Sequence, residues 1–133
     1  MPNNSTPKLK KLGQRLLAEE LDETDDAAIF RVCEKIHVPL VKLMGVGGFH
    51  SLLSRARAMA GSEIPWLLGL EIAADGTLVN LGELAADLDA PAVANGEIAL
   101  VAQLLGLLVI FIGPALTLQL VHDVWPEIND LQL

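Results

Sequence analysis

The sequence predicts an all-α protein: a compact bundle of short helices around a long apolar C-terminal helix. The apolar residues, 52% of the chain, are mainly Leu, Val, Ile and Ala, with three Phe, two Trp and no Tyr. Leu and Ala favour helices, whereas sheets draw on β-branched and aromatic residues. Every long segment with a clear hydrophobic period has the helical one. Residues 98–121 add a stretch of 24 residues without a formal charge, long enough to organise the whole domain.

The chain length predicts one domain. Its 133 residues lie close to the commonest domain size, and two domains would each have too small a core. Residues 1–7 contain two prolines and no apolar period, so they are expected to form a flexible tail. Residues 8–133 are predicted to form a single helical domain.

The charges are unevenly distributed along the chain. The net charge is −8, yet all nine Lys and Arg lie between Lys8 and Arg57, and residues 58–133 carry ten Asp and Glu. An acidic chain without a concentrated basic face is a poor ligand for nucleic acid. Cys33 is the only cysteine, so no intramolecular disulfide can form. With no apolar signal-peptide core near the N-terminus, a cytoplasmic protein is expected.

Three helices are predicted in the first half of the chain. The first begins at Pro7, the second covers residues 25–44, and the third covers residues 49–60. An acidic run at residues 22–26 links the first two. Pro39 is expected to kink or break the second helix near His37, because proline removes a backbone hydrogen bond. Inward positions follow the three- and four-residue spacing: Leu9, Leu12, Leu16, Leu17, Ile29, Val32, Cys33, Ile36, Leu40, Leu43, Met44, Leu52, Leu53, Ala56 and Met59.

The segment near residues 70–81 is the one place where the sequence allows strands. Asp75-Gly76 is a strong turn signal between two short apolar runs. One small β-hairpin is the minority interpretation here, and an extended crossing is preferred. Asn80 and Glu83 have the spacing of a capping box, which predicts the start of a short helix.

The C-terminal apolar stretch has two interpretations. Residues 98–121 are long enough to cross a bilayer as a single transmembrane helix. However, no Lys or Arg lies near either end, and Gly113-Pro114 interrupts the stretch. A buried helix that breaks at Gly113-Pro114 explains both features, so the buried interpretation is preferred over the membrane-spanning one. Trp125 is expected to hold the end of this helix on the core.

Small and polar residues recur along one face of the predicted C-terminal helix. Their spacings of three and four residues predict a close helix contact there, with Gly106 and Gly113 facing a neighbour. Because the rest of this helix is apolar and the domain is small, self-association through this face is expected. The predicted packing or self-association residues are Gln103, Gly106, Ile110, Gly113 and Thr117.

No motif in the chain supports a catalytic, cofactor or metal site. Cys33 and His37 lie four residues apart, but two ligands do not make a metal site unless His50 also converges on them. Residues 45–48 are glycine-rich but lack the Lys-Ser/Thr ending of a phosphate-binding loop. No catalytic residue, cofactor or metal is therefore predicted.

Two hypotheses about function follow. The first is a non-enzymatic interaction or assembly module that forms a homo-oligomer through its C-terminal helix and presents an acidic surface to a protein partner. The alternative is a small single-span membrane protein, with residues 98–121 as the span and a cytoplasmic N-terminal domain. This orientation is expected because Lys and Arg are enriched on the cytoplasmic side of a membrane span.

Overall fold

The computed structural model describes residues 6–20 and 28–128, and the described chain is an all-α bundle, as predicted. The predicted acidic link at residues 22–26 lies outside the described residues, and so do the first five residues of the predicted tail. The order of elements is α1 (Thr6–Glu19), α2 (Ala28–Glu63), a 3₁₀ turn (Pro65–Gly69), α3 (Leu81–Ala86) and α4 (Ala90–Val124).

Helix α1 packs its leucine stripe against α4. The predicted positions Leu9, Leu12, Leu16 and Leu17 are all buried. Gly13 lies on the same side, where a Cβ atom would stand 3.4 Å from Val101 of α4. The helix begins at Thr6, so Thr6 and Pro7, predicted to belong to the tail, are helical.

Helix α2 passes through Pro39 and breaks at Gly45, which corrects the prediction of a break near His37. Only Gly45 departs from helical dihedral angles within α2, with φ 78° and ψ 167°. Proline removes one backbone hydrogen bond, but Ile36 and Leu40 on either side of it are fully buried and hold the helix in place. Gly45 adopts angles that are essentially restricted to glycine, so the chain turns there instead.

Burial along α2 follows most of the predicted stripe. Ile29, Val32, Cys33, Ile36 and Leu40 are buried before it, and Leu53 and Ala56 are buried after it. Leu43, predicted to face inward, is 52% exposed, and Met59 is 40% exposed. Phe49, Leu53, Ala56 and Ala60 are all fully buried after Gly45, so a helical period of buried side chains resumes beyond the turn.

Helix α4 is the core helix of the bundle and contacts both α1 and α2. It begins at Ala90, where the Asp89 side chain accepts a hydrogen bond of 2.8 Å from the Ala92 amide and Pro91 occupies the first turn. A break at Gly113, with φ 86° and ψ 162°, confirms the interruption predicted at Gly113-Pro114. Its buried side chains come from all around the segment between Ala99 and Leu108.

The connection between α2 and α3 contains a minimal hairpin. One antiparallel bridge joins Ile72 to Leu78 around the Asp75-Gly76 turn, so the hairpin is limited to a single bridge in the described chain. Asn80 does not cap α3 with its side chain, contrary to the predicted capping box. Its amide group instead accepts a hydrogen bond from the Glu71 backbone N–H and donates one to the Gly69 carbonyl, which closes the base of the hairpin.

Two helices, Ala28–Glu63 and Ala90–Val124, are long and apolar enough to cross a membrane. In this fold both are broken at a glycine, and the apolar middle of α4 faces the other helices of the bundle. Length and hydropathy alone do not distinguish a membrane span from the core helix of a bundle.

The break in α2 generates a stability prediction. Replacing Gly45 with alanine should lower the free energy of unfolding by about 1 to 3 kcal/mol, because a Cβ atom is strained at these dihedral angles. Gly47 is the matched control: a methyl group placed there would meet no atom within 4 Å, and the residue keeps helical angles. Gly47→Ala should be neutral or stabilising by up to roughly 1 kcal/mol. Urea unfolding followed by circular dichroism measures both, and equal effects would contradict a break at Gly45.

Candidate functional site

The five residues predicted to form a packing face on the C-terminal helix do not share one continuous face. Gln103, Gly106 and Ile110 lie on the first part of α4, where they line one groove. The break at Gly113 redirects the chain before Thr117. Thr117 is buried, and its hydroxyl donates a hydrogen bond of 2.8 Å to the Gly113 carbonyl, so it supports the break.

The two glycines of the predicted face differ in their surroundings. A Cβ atom at Gly106 would stand 3.3 Å from Leu9 Cδ1, so this glycine lies at a close contact with α1, as expected. A Cβ atom at Gly113 would meet nothing within 4 Å in the described chain, so the expected close contact is wrong there within this chain. The break in α4 needs glycine at position 113 because the φ angle there is positive, a conformation that other residues rarely adopt.

The groove beside Gly106 has a volume of about 260 Å³ and lies between α1, α2 and α4. Lys10 and Glu63 form an ion pair of 3.2 Å at this groove, with both side chains partly exposed. Ile110 also lines it and is 79% exposed, the highest value among the exposed large apolar side chains of the described chain. The other lining residues are mostly apolar: Leu9, Met59, Ala99, Ala102, Gln103, Gly106 and Leu107.

A second cleft, of about 390 Å³, opens on the other side of α4 near the break in α2. Phe111, which is 60% exposed, lines it together with Met44 and Arg55. Sequence reasoning missed this cleft because it needs both the turn at Gly45 and the position of α4 beside it. The signal that was available is the pair of glycine-containing interruptions at Gly45 and Gly113, one in each long apolar helix.

Glu20 links three parts of the chain beneath the surface. Its carboxylate Oε2 accepts a hydrogen bond of 2.8 Å from Trp125 Nε1 and lies 2.6 Å from Lys35 Nζ. Trp125 is 2% exposed, which confirms that it holds the end of α4 on the core. The sequence carries no signal for Glu20, because an acidic residue at the end of α1 is ordinarily solvated.

A pocket of about 210 Å³ lies between α2 and the hairpin turn, lined in part by Cys33 and His37. His37 Nε2 lies 3.0 Å from the Asp75 carbonyl oxygen, and the Phe49 ring packs edge-on against the imidazole. Hydrogen bonds from Thr77 lower the pKa of the exposed Asp75 carboxyl. These contacts fasten the turn to α2.

Burial raises the pKa of the Cys33 thiol to about 12, and the Glu97 carboxylate adds to this effect. Burial also raises the pKa of Glu97, although a hydrogen bond from the Ile29 amide opposes the shift. A protonated, buried thiol is a poor nucleophile and a poor metal ligand. Within residues 6–20 and 28–128, no three His, Cys, Asp or Glu side chains come together to hold a metal ion.

No family model matches the chain, and neither a curated protein nor a solved structure matches it. The candidate site is therefore defined by the geometry of the chain itself. Its two surfaces are the groove at Ile110 and the cleft at Phe111.

The environment of Cys33 predicts how fast this thiol reacts. A thiol with a pKa near 12 is almost entirely protonated at pH 8, so a disulfide reagent should label the folded protein roughly a thousandfold more slowly than the urea-unfolded chain. Absorbance of the released chromophore follows a single site, because Cys33 is the only cysteine. Equal rates in the folded and unfolded states would contradict the burial of this thiol.

The link at Glu20 predicts a difference between two carboxylates. Glu20→Gln removes the charge that a buried indole N–H and Lys35 share, and should lower the free energy of unfolding by about 1.5 to 3 kcal/mol. Glu63→Gln is the matched control, because its ion pair with Lys10 is exposed and should cost less than about 1 kcal/mol. Urea unfolding measures both variants. A Glu20→Gln effect no larger than that of Glu63→Gln would show that the buried link does not stabilise the fold.

Proposed function

We propose that the chain is a non-enzymatic assembly module of the cytoplasm, which self-associates through the first part of α4. The observation that carries this proposal is the exposure of Ile110, 79%, at the edge of a largely apolar groove of about 260 Å³. In an isolated domain, an exposed isoleucine next to an apolar groove leaves contiguous apolar surface in contact with water, which is unfavourable. A second copy of the chain would cover both.

The groove and Ile110 suit a two-fold symmetric contact. In such a contact the same patch occurs on both subunits, so each copy can place its Ile110 in the groove of the other. Gly106 also lines the groove, where Leu9 of α1 packs close to it. The proposed self-association surface therefore retains Gln103, Gly106 and Ile110 of the predicted face, with Leu9 and Met59 added from α1 and α2.

Charges around the groove are compatible with this contact. Lys10 and Glu63 supply one positive and one negative group. Two copies related by a two-fold axis can therefore pair opposite charges across the interface, which favours the correct register. The carboxylates of residues 58–133 leave an acidic surface elsewhere for a protein partner.

The proposal uses no catalytic chemistry. The groove is lined mainly by apolar side chains, and its charged groups are a partly exposed Lys–Glu pair. The thiol of Cys33 is protonated and buried in another part of the molecule. These features favour recognition of a protein surface over a reaction.

The alternative function, a single-span membrane protein, is favoured by the length and hydropathy of α4. Residues 98–121 would then leave the bundle and enter the bilayer. Against this alternative, insertion would remove the side chains between Ala99 and Leu108 from their contacts with α1 and α2. The break at Gly113 also falls within the span.

Sedimentation velocity tests the assembly proposal. Ile110→Asp should shift the protein from oligomer to monomer, because a carboxylate in the apolar groove weakens the contact by about 2 kcal/mol or more. Val79→Asp is the matched control: Val79 is 59% exposed, lies in the hairpin and does not line the groove. It should leave the oligomer unchanged.

Three results would contradict the proposal. A monomeric wild-type protein at high concentration would remove it directly. An Ile110→Asp protein that keeps the wild-type oligomer would show that the groove is not the interface. Recovery of the wild-type protein only in a membrane pellet that resists alkaline washing would favour the single-span alternative instead.

A further inference from the structure

The cleft at Phe111 lies along one face of α2. Its lining residues are Met44, Gly48, Ser51, Leu52 and Arg55 of α2 and Phe111 of α4. Between Gly48 and Arg55 the lining positions are three, one and three residues apart, which is the spacing of side chains on one face of a helix. At 1.5 Å per residue, the lining therefore follows the helix axis for roughly 10 Å.

Most of the cleft lining is apolar, and part of that apolar surface is in contact with water. Phe111 is 60% exposed, and Met44 and Leu52 on the opposite helix are half-buried. The Met44 side chain lies over Gly48, where a Cβ atom would stand 3.0 Å from Met44 Cβ. An aromatic ring, a flexible thioether and a branched aliphatic side chain together form a surface that accepts a hydrocarbon chain.

The polar groups of the cleft are hydrogen-bond donors. Arg55 is the one charged residue among those that line it. Within the described part of the chain, the Arg55 guanidinium has no hydrogen bond or ion pair, whereas Arg57 donates a hydrogen bond of 2.7 Å to the Leu70 carbonyl. The Ser51 hydroxyl also lines the cleft and can donate a further hydrogen bond. A permanent positive charge with donors on an apolar surface favours an anion that carries a hydrocarbon chain.

The size of the cleft suits a small molecule. Its volume of about 390 Å³ lies within the range of roughly 300 to 1,000 Å³ that is usual for ligand pockets. The pocket at Cys33 and the groove at Ile110 are smaller, with about 210 and 260 Å³. Ligand pockets are mainly apolar and have a few polar groups that fix the orientation of the ligand, and the lining of this cleft has that composition.

We propose that the cleft binds a medium-chain fatty acid as its carboxylate. Arg55 and Ser51 hold the carboxylate oxygens, and the hydrocarbon chain covers Phe111, Met44 and Leu52. A carboxylic acid is ionised at neutral pH, and a guanidinium pairs with a carboxylate through two parallel N–H···O bonds. A chain of about eight carbon atoms matches the roughly 10 Å over which the lining follows α2.

Other occupants satisfy only part of the lining. A neutral hydrocarbon would cover Phe111 but form no bond with Arg55. An inorganic anion would pair with Arg55 but leave the phenyl ring in water. A second copy of the chain at the groove of Ile110 does not need this cleft, because Ile110 and Phe111 point about 100° apart around the helix and line different cavities. The inference therefore does not depend on the proposed self-association.

Isothermal titration calorimetry with three probes tests the proposal. Octanoate should bind about tenfold more tightly than 1-octanol, because the alcohol cannot form the charge-assisted hydrogen bonds to arginine. Acetate has the carboxylate without the chain and should show no measurable binding. Equal affinities for octanoate and 1-octanol, or no binding of octanoate, would overturn the proposal.

Matched variants localise the binding to the cleft. Arg55→Gln should weaken octanoate binding about tenfold and leave 1-octanol binding unchanged. Lys42→Gln, which removes the same charge from an exposed residue of α2 outside the cleft lining, should leave both unchanged. Phe111→Ala should weaken the binding of both probes, whereas Leu116→Ala, at a 59% exposed position of α4 outside the lining, should weaken neither. Equal effects within either pair would show that the probes do not bind in the cleft.

Sedimentation velocity separates this outcome from that of the assembly proposal. Arg55→Gln and Phe111→Ala should keep the wild-type oligomer. A change of oligomeric state in both variants, with octanoate affinity intact, would show that the cleft contacts another copy of the chain and does not bind the fatty acid. A monomeric wild-type protein that binds octanoate in the cleft would support the present proposal and contradict the assembly proposal alone.

Discussion

The packing of the middle of α4 between α1 and α2 is the constraint on which the rest of the structure depends. This segment is apolar on every side, so it needs neighbours around most of its circumference. Helix α1 covers one side with four buried leucines, and α2 covers another with its stripe from Ile29 to Leu40. A chain of this size offers few other helices for that purpose, and Ile110 and Phe111, close to the break at Gly113, are left outside the core.

The glycine breaks extend this constraint to the surface. Each long helix is interrupted at one glycine, Gly45 in α2 and Gly113 in α4, and both residues have dihedral angles open mainly to glycine. Beyond each break a helical period of buried side chains resumes, at Phe49, Leu53 and Ala56 in α2 and at Thr117 and Val121 in α4. Five exposed large apolar side chains lie within three residues of a break: Leu43, Val46, Ile110, Phe111 and Leu116.

The sequence predicted the elements better than it predicted the surfaces. Helix α1, the break at Gly113 and the buried position of Trp125 follow from local patterns of leucine, glycine and the helix end. The predicted break near Pro39 is wrong. Helix propensity accounts for the backbone hydrogen bond that proline removes, but not for the burial of Ile36 and Leu40, which compensates for that loss. The predicted five-residue face is interrupted after Ile110. The prediction continued a helical period through Gly113, whose dihedral angles are not helical. The cleft at Phe111 and the link at Glu20 depend on contacts between distant segments, which no local pattern encodes.

The hydrogen bond between Trp125 and Glu20 joins residues 105 positions apart. Helix α1 likewise buries its leucines mainly against α4 and hardly against α2. During translation the first helix leaves the ribosome long before α4 exists, so its leucine stripe lacks its native partner until α4 has been made. Few of its native contacts can form early, and closing so long a loop slows folding.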